Sequence, residues 1–337
     1  MRLRTSDPHG PGFGRRRCGG GFRYVDASGR ALDAQDLRRV RELVIPPAWK
    51  DVWICPWPNG HLQAVGTDAA GRRQYLYHDE FRRQQEAAKH AHVLEVSASF
   101  PLLRERVSRS LDERGLTRAR VLACSIRLLD LGLLRIGSEG YTRANETFGL
   151  STLLREHVVC RGDEIRIDFP AKHAKRQTLS LVDPQAAQVV RALLRRRQDD
   201  PRLFACWEGR AWHTLPSGQL NEALRLLAGL DLTAKDFRTW HATVLAAVGL
   251  AISTRAREES ATARKRAVAR VVREVSGYLG NTPAVARASY INPLVIERYD
   301  AGRTVARDLD RLGEHRVYGQ PATQGAVEEA VRRLLSD

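Results

Sequence analysis

The 337-residue sequence has few methionines, cysteines and aromatic residues, and it lacks a long apolar run. Its five cysteines are scattered without a CxxC pair, which argues against a disulfide scaffold or zinc ribbon and favours a reducing, cytoplasmic compartment. A transmembrane helix needs about 18 apolar residues, whereas the apolar stretch 128–134 is short and contains Asp130. Glycines rather than an apolar segment follow the arginines at 15–17, so we expect no secretory signal.

Acidic residues are few relative to basic ones. There are 39 Asp and Glu against 55 Lys and Arg, and the formal net charge is +16. A chain this basic is expected to bind a polyanion, and nucleic acid is the first candidate. Only six of the basic residues are lysines, so a preference for arginine is evident, but that preference does not explain the excess over acids.

Motifs of nucleotide and metal chemistry are missing as well. The sequence has no GxxxxGKS or GxxxxGKT phosphate-binding loop, no HExxH motif and no dense Asp/Glu group that could hold two Mg²⁺ ions. We expect His90 and His92 to be surface residues rather than metal ligands. A nucleic-acid enzyme without a metal must stabilise charge with Arg and Lys and needs a nucleophile of its own.

The length suggests two domains of about 150 residues each. Residues 1–21, rich in Gly, Pro and Arg, have no apolar period, and we interpret them as a flexible basic tail. Strand-like runs separated by turns follow, and the pattern then becomes helical with one three-strand interruption. We predict an α+β protein with a small β-rich domain over 22–85 and a larger, mainly α-helical domain over 86–337 that contains a three-stranded sheet.

Five short motifs stand out from this pattern. They are IPPAWKDVW at 45–53, GRRQYLY at 71–77, KDFR at 235–238, GNTP at 280–283 and ASY at 288–290. In order and spacing they resemble the type IB DNA topoisomerases, in the compact form of bacteria and poxviruses. The likeness covers most of the chain, from about residue 22 to residue 305.

This resemblance implies a fold shared with the tyrosine recombinases and an N-terminal domain that clamps DNA. It also implies a monomer in the cytoplasm, associated with the nucleoid, whose partner is duplex DNA. Such an enzyme relaxes supercoils by cleaving one strand through a 3′-phosphotyrosyl intermediate and resealing it. The bond energy is kept in the ester, so we expect neither ATP nor a metal as cofactor.

The resemblance also assigns catalytic roles to five residues. Tyr290 would be the nucleophile, and Arg135 and Arg238 would bind the non-bridging phosphate oxygens. Lys172 would protonate the leaving 5′-oxygen. Asn281 stands where poxvirus and eukaryotic relatives have His, a departure that bacterial members show.

Each of these residues also has a simpler interpretation. Tyr290 is one of eight tyrosines, Asn281 lies in a turn-like GNTP segment, and a single arginine is most often a solvated surface charge. Lys172 has two rivals for the role of acid, Lys175 and, less strongly, His173. Only the ensemble favours catalysis.

Five further residues are candidates for DNA contact. By resemblance, Gln74, Tyr75 and Tyr77 contact the major groove, Tyr141 lies near the cleaved strand, and Lys235 belongs to the KDFR motif. Because side chains alternate along a strand, Tyr75 and Tyr77 share one face. The alternative is that this face packs on the core of its own domain.

Two other functions fit parts of the same sequence. A tyrosine recombinase shares the fold and the nucleophile, but its usual motif is HxxR, whereas this chain has KDFR at 235–238. A non-enzymatic basic DNA-binding protein would show salt-sensitive binding and no covalent adduct.

Overall fold

The computed structural model describes residues 1–171, 176–255, 260–309 and 323–336. The chain forms two compact units, Met1–Lys89 and His90–Asp337. The first is rich in β-strands and the second is mainly helical, so the mixed architecture predicted from the sequence is confirmed at this level. In the described ranges, no helix combines the length and apolarity needed to cross a membrane.

The first unit is built on a five-stranded antiparallel sheet in the order β2-β1-β3-β4-β5. Helix α1 packs on one face, where Val40 joins a core that includes Ile54 and Ala64. Asp33 caps this helix by accepting a hydrogen bond from the Asp36 amide. The elements are β1 (Phe13–Cys18), β2 (Gly21–Val25), α1 (Ala34–Glu42), β3 (Lys50–Ile54), β4 (Leu62–Thr67) and β5 (Arg73–Tyr77).

The flexible tail expected over residues 1–21 is wrong, because residues 13–18 form strand β1 inside the sheet. Arg15 explains why the pattern was missed. Its guanidinium stacks over Phe22 and donates hydrogen bonds to the carbonyls of Ile45, Pro46 and Trp49 at 3.0, 3.0 and 2.7 Å. An arginine thus occupies a position where an apolar residue would have signalled a strand.

The second unit consists mainly of helices around two small sheets. Helix α2 (Asp79–Ser97) begins in the first unit and ends in the second. The longer helices of the second unit are α3 (Phe100–Leu111), α4 (Arg118–Gly132), α6 (Pro184–Arg195), α7 (Ser217–Ala228), α8 (Ala234–Arg255), α9 (Ala261–Leu279) and α13 (Ala326–Ser336). The shorter ones are α5 (Glu139–Asn145), α10 (Pro283–Ser289), α11 (Pro293–Asp300) and α12 (Ala306–Leu309).

The predicted three-strand interruption is a sheet in the order β6-β7-β8. A second hairpin, β9-β10, was not foreseen, because each of its strands has only four residues. The strands are β6 (Val158–Arg161), β7 (Glu164–Pro170), β8 (Arg176–Val182), β9 (Ala205–Glu208) and β10 (Ala211–Thr214).

A buried ionic network joins four helices of this unit. Arg104 of α3 contacts Asp130 of α4 at 2.7 Å and Glu328 of α13 at 2.6 Å. From α8, the Trp240 indole donates to Glu328 at 2.8 Å, and His241 Nε2 lies 2.8 Å from Asp130. Burial alone would raise the pKa of Asp130, but Arg104 and His241 hold that pKa well below its usual range.

The network predicts a large loss of stability when its cation is removed. Arg104→Met leaves Asp130 and Glu328, 4% and 1% exposed, without their shared arginine. We expect the free energy of unfolding in urea to fall by about 3–5 kcal/mol. Arg109→Met, which removes an exposed ion pair with Glu105 on the same helix, should change it by less than about 1 kcal/mol. Equal losses in the two variants would contradict the role given to the network.

Candidate active site

Four of the five predicted catalytic residues lie near one another in the helical unit. Arg135 follows the end of α4, Arg238 is in the second turn of α8, Asn281 follows α9, and Tyr290 follows α10. Lys172 lies outside the described residues, as do its rivals Lys175 and His173.

Arg238 is the most buried member of this group, with 2% of its surface exposed. Its guanidinium donates to the carbonyl of Leu279 at 2.8 Å and to the carbonyl of Leu133. Leu133 caps α4 in the left-handed region at φ 53°, which turns its carbonyl away from the helix ladder. Burial lowers the pKa of Arg238 to about 10. The guanidinium carbon lies 5.3 Å from the centroid of the Tyr290 ring.

Arg135 and Asn281 contact each other directly. The guanidinium of Arg135 donates to the carbonyl of Gly280 at 3.2 Å and to the side-chain oxygen of Asn281. Gly280, at φ 61°, ends α9, and the Asn281 amide donates back to the Ser276 carbonyl at 3.0 Å. Nδ2 of Asn281 and Nε of Arg238 are both buried. The side chains of both residues make polar contacts with Tyr290.

Two glycines hold the segment that carries Arg135. Gly137 has φ 81°, and a Cβ atom built on Gly149 would lie 2.5 Å from the Cα of Gly137 and 2.8 Å from the carbonyl oxygen of Arg135. That same carbonyl accepts a hydrogen bond from the Leu150 amide at 2.8 Å. The close backbone approach therefore requires glycine on both sides.

Tyr290 is half-buried at the junction between α10 and α11. Its amide donates to the Ala286 carbonyl at 3.1 Å, and its carbonyl lies 3.3 Å from the hydroxyl of Thr243 on α8. The same hydroxyl accepts a hydrogen bond from the Asn292 amide at 3.1 Å. The sequence did not predict this role of Thr243. A threonine inside a long helix carries no local pattern that indicates a contact with the backbone of a distant segment.

The surroundings of Tyr290 favour its ionised form. Burial by itself raises the pKa of the phenol, but the charge of Arg238, polar contacts from Arg238 and Asn281, and the charge of Arg135 outweigh it. The pKa of Tyr290 therefore lies below its ordinary value. A phenol in this setting is a better nucleophile at neutral pH than a solvated tyrosine.

A cavity of about 860 Å³ opens beside these residues. Its walls come from the end of α4, strand β8 and the end of α9, and they include Arg135, Gly280 and Asn281. This space lies next to two of the clustered polar residues, so a substrate strand could reach them from it.

The residues predicted to contact DNA on β5 are exposed in part. Tyr75 and Tyr77 are 48% and 36% exposed, with ring centroids 6.2 Å apart and nearly parallel planes. They do not pack into the core of their own unit. Gln74 alternates with them, and its amide donates to Asp68 at 2.9 Å.

The other two candidates lie on helices of the second unit. Tyr141 on α5 is 38% exposed, and Lys235 is exposed in the first turn of α8. Within the part of the chain that the structure describes, no three His, Cys, Asp or Glu residues are grouped as metal ligands. His92 is on the surface as expected, but His90 is buried at 5% exposure, because it lies on the side of α2 that faces the core.

Comparison with known families decides among the functions left open by the sequence. The family model described as the catalytic core of eukaryotic DNA topoisomerase I matches residues 78–311, more than half of the chain. The chain belongs to the type IB DNA topoisomerases. A second model, the N-terminal domain of bacterial DNA topoisomerase IB, matches residues 21–68 of this topoisomerase.

Individual relatives agree with the family assignment. This topoisomerase is 27% identical to the DNA topoisomerase 1B of Acanthamoeba polyphaga mimivirus over 284 residues, which cover 82% of this chain and 84% of the viral protein. It is 21% identical to the DNA topoisomerase 1B of Vaccinia virus (strain Copenhagen), over 69% of this chain and 71% of the relative. The DNA topoisomerase 1 of Rabbit fibroma virus is also 21% identical, over 69% and 70%.

Membership in this family gives the activity. The topoisomerase relaxes supercoiled duplex DNA by cleaving one strand through a 3′-phosphotyrosyl intermediate and then religating it. A recombinase and a non-enzymatic DNA-binding protein are not favoured.

The Thr243 anchor leads to a prediction about cleavage. Thr243→Val removes the hydroxyl that accepts from the Asn292 amide and lies 3.3 Å from the Tyr290 carbonyl, while the size of the side chain is nearly kept. The proton of this hydroxyl also has the Thr239 carbonyl, at 2.8 Å, as an acceptor. A displacement of well under 1 Å should slow single-turnover strand cleavage at saturating DNA about tenfold, and the dissociation constant for DNA should not change. Thr243→Ser keeps the hydroxyl and should retain the wild-type rate. If Val and Ser behave alike, the hydroxyl does not position this segment.

Proposed function

We propose that Tyr290 is the nucleophile of the cleavage step. Its phenolic oxygen forms a bond to phosphorus while the bond from phosphorus to the 5′-oxygen breaks, and the phenol gives up its proton. The product is a 3′-phosphotyrosyl ester and a free 5′-hydroxyl, which reseals the strand by the reverse reaction. Support comes from the position of Tyr290, half-buried beside Arg238 and with its pKa held below the ordinary value.

The two arginines would stabilise the five-coordinate transition state. Arg238 and Arg135 offer planar guanidinium groups that match two non-bridging phosphate oxygens. Arg238 is already desolvated and fixed by backbone carbonyls, so it needs little reorganisation when charge develops on the phosphate.

Asn281 would donate one further hydrogen bond to the phosphate. Its side-chain oxygen accepts from Arg135, which leaves the buried Nδ2 as the donor on the side of Tyr290. An amide can donate a hydrogen bond but cannot transfer a proton, so this residue would assist binding of the oxyanion and not the proton transfer.

Lys172 would be the general acid that protonates the leaving 5′-oxygen. It belongs to the segment between β7 and β8, the two strands that flank it. An ammonium group can give a proton near neutral pH, whereas a guanidinium does not readily do so. Its role is proposed from the resemblance and from this chemistry.

The N-terminal unit would act with the helical unit as a clamp on duplex DNA. We propose that the exposed edge with Tyr75 and Tyr77 contacts the major groove, with Gln74 beside it. Tyr141 and Lys235, both exposed, would lie along the cleaved strand. The proposed domain boundary falls near residue 85, and the enzyme would work as a monomer.

Two further proposals concern the fold family of the helical unit and the place in the cell where the enzyme acts. We propose that the helical unit shares its fold with the tyrosine recombinases, a proposal supported by its helices and its three-stranded antiparallel sheet. We also propose that the enzyme acts on nucleoid DNA in the cytoplasm. All five cysteines are free thiols.

The role of Tyr290 is tested on supercoiled plasmid that carries no special site. Wild-type enzyme, mixed with the plasmid in EDTA without ATP and quenched with detergent, should give relaxed DNA and protein-linked DNA. Tyr290→Phe should bind duplex DNA but give neither product, because only the phenolic oxygen is lost. Tyr299→Phe, a change in the buried core, is the control and should still cleave. Relaxation by Tyr290→Phe at the wild-type rate would overturn the assignment.

The role of Lys172 is tested by changing the leaving group. Lys172→Ala should slow cleavage of ordinary DNA by about 10²–10⁴, the usual contribution of a general acid. A substrate with sulfur in place of the bridging 5′-oxygen hardly needs protonation, so Lys172→Ala should cleave it at close to the wild-type rate. Rescue of Lys175→Ala instead would identify the other lysine as the acid, and rescue of neither would place the acid elsewhere.

A further inference from the structure

The five-stranded sheet of the first unit has two different faces. On the inner face, Ala64 packs with Val40 of α1. Leu76 is paired with Ala64 and shares this face, whereas Tyr75 is paired with Val65. Because neighbouring residues of a strand point to opposite sides, Tyr75 and Val65 belong to the other, outer face.

Strand pairing extends the outer face to the opposite edge of the sheet. Val65 is paired with Trp53, and Trp53 with Gly14 of β1. Arg16 is two residues beyond Gly14 and therefore points to the same side. Arg23 of β2 lies directly opposite Arg16.

The same row continues across the other strands. Thr67 of β4 is two residues from Val65, and it is paired with both Lys50 of β3 and Arg73 of β5. Four cations thus lie on the outer face, and all are exposed. Arg16 and Arg23 are directly opposite each other, whereas Lys50 and Arg73 lie on either side of Thr67. We call them the basic row: Arg23, Arg16, Lys50 and Arg73.

Arg16 and Arg23 repel each other, because like charges directly opposite on neighbouring strands are destabilising. No ion pair or side-chain hydrogen bond joins a member of the basic row to any residue that the structure describes. Of the acidic residues closest in sequence, Asp26 is paired with Arg30 at 3.2 Å, and Asp51 makes no ion pair with a described residue. Folding alone therefore does not account for the row.

The row has dimensions that suit a DNA backbone. Five strands at about 4.8 Å spacing make it about 19 Å long, enough to follow several phosphates. Tyr75 and Tyr77 are two and four residues from Arg73 along β5, about 7 and 14 Å. A major groove is about 12 Å wide, so a backbone held by the row would present its groove to the tyrosines.

We propose that the basic row binds the phosphate backbone at the rim of the groove that the Tyr75–Tyr77 edge contacts. The occupant is duplex DNA, the substrate of this family, and the row is a binding surface separate from the residues around Tyr290. The inference rests on the proposed function in one respect, because it takes the tyrosine edge as the part that faces the groove.

The test counts phosphate contacts through the salt dependence of binding. Affinity of the full-length protein for a short duplex is measured at several NaCl concentrations. Each lost phosphate contact should lower the slope of log K against log salt by about 0.9, so Arg16→Ala with Arg23→Ala should lower it by about 1.8. Lys50→Ala alone should lower it by about 0.9. Arg16→Lys with Arg23→Lys, which keeps both charges, should keep the wild-type slope.

The control carries the same charge change on the other side of the sheet. Arg17 is the exposed neighbour of Arg16 and points the opposite way, and Arg38 is exposed on α1, which covers the inner face. Arg17→Ala with Arg38→Ala should leave the slope unchanged. Equal slopes for the two double variants, or an unchanged slope in the first, would overturn the proposal.

Two further measurements separate this inference from other causes. The melting temperature of Arg16→Ala with Arg23→Ala should stay the same or rise, because a repulsion is removed; a clear fall would mark the pair as structural and overturn the proposal. The detergent-quenched adduct of wild-type protein tests the function of Tyr290 independently. An adduct with no slope difference contradicts only the basic row, whereas a slope difference without an adduct contradicts only the proposed nucleophile.

Discussion

The packing of α4 against α8 is the constraint on which the site depends. Contacts from two consecutive turns of α8 fix it. His241 of α8 lies 2.8 Å from buried Asp130 of α4, within the network centred on Arg104. One turn away, Arg238 of α8 donates to the carbonyl of Leu133 at the end of α4. The ionic core and Arg238, which we propose to bind the phosphate, are therefore parts of one helix–helix contact, and disturbance of the first displaces the second.

The sequence allowed much of the site to be predicted, because its spacing is local. At the start of α8, Asp236 of KDFR accepts a hydrogen bond from the Thr233 amide at 2.8 Å, and Arg238 therefore lies in the second turn of the helix. Asn281 and Tyr290 flank a short helix that opens with proline, so their separation follows from one capped element. The structure does group these residues with Arg135, although their catalytic roles stay predictions.

Other features depend on contacts between distant parts of the chain and left no local pattern. Strand β1 carries Arg15 where an apolar side chain would be expected, and its role is visible only with the three carbonyls that it satisfies. The Arg104 network joins residues more than 200 positions apart, and nothing in the neighbourhood of Glu328 marks that glutamate as buried. The arginine-rich composition makes buried, structural arginines hard to tell from surface ones, because the same residue type serves both purposes.

The contact between Gly137 and Gly149 has an evolutionary consequence. A methyl group on Gly149 would lie 2.5 Å from the opposite backbone, and Gly137 also has a conformation that other residues rarely adopt. No single substitution at either position can be accommodated while the loop keeps its path, and a second change cannot compensate for the first, because both sides lack room. The sequence of this stretch next to Arg135 therefore cannot change at these two glycines one substitution at a time. Relatives that carry a larger residue there must run this loop along a different path.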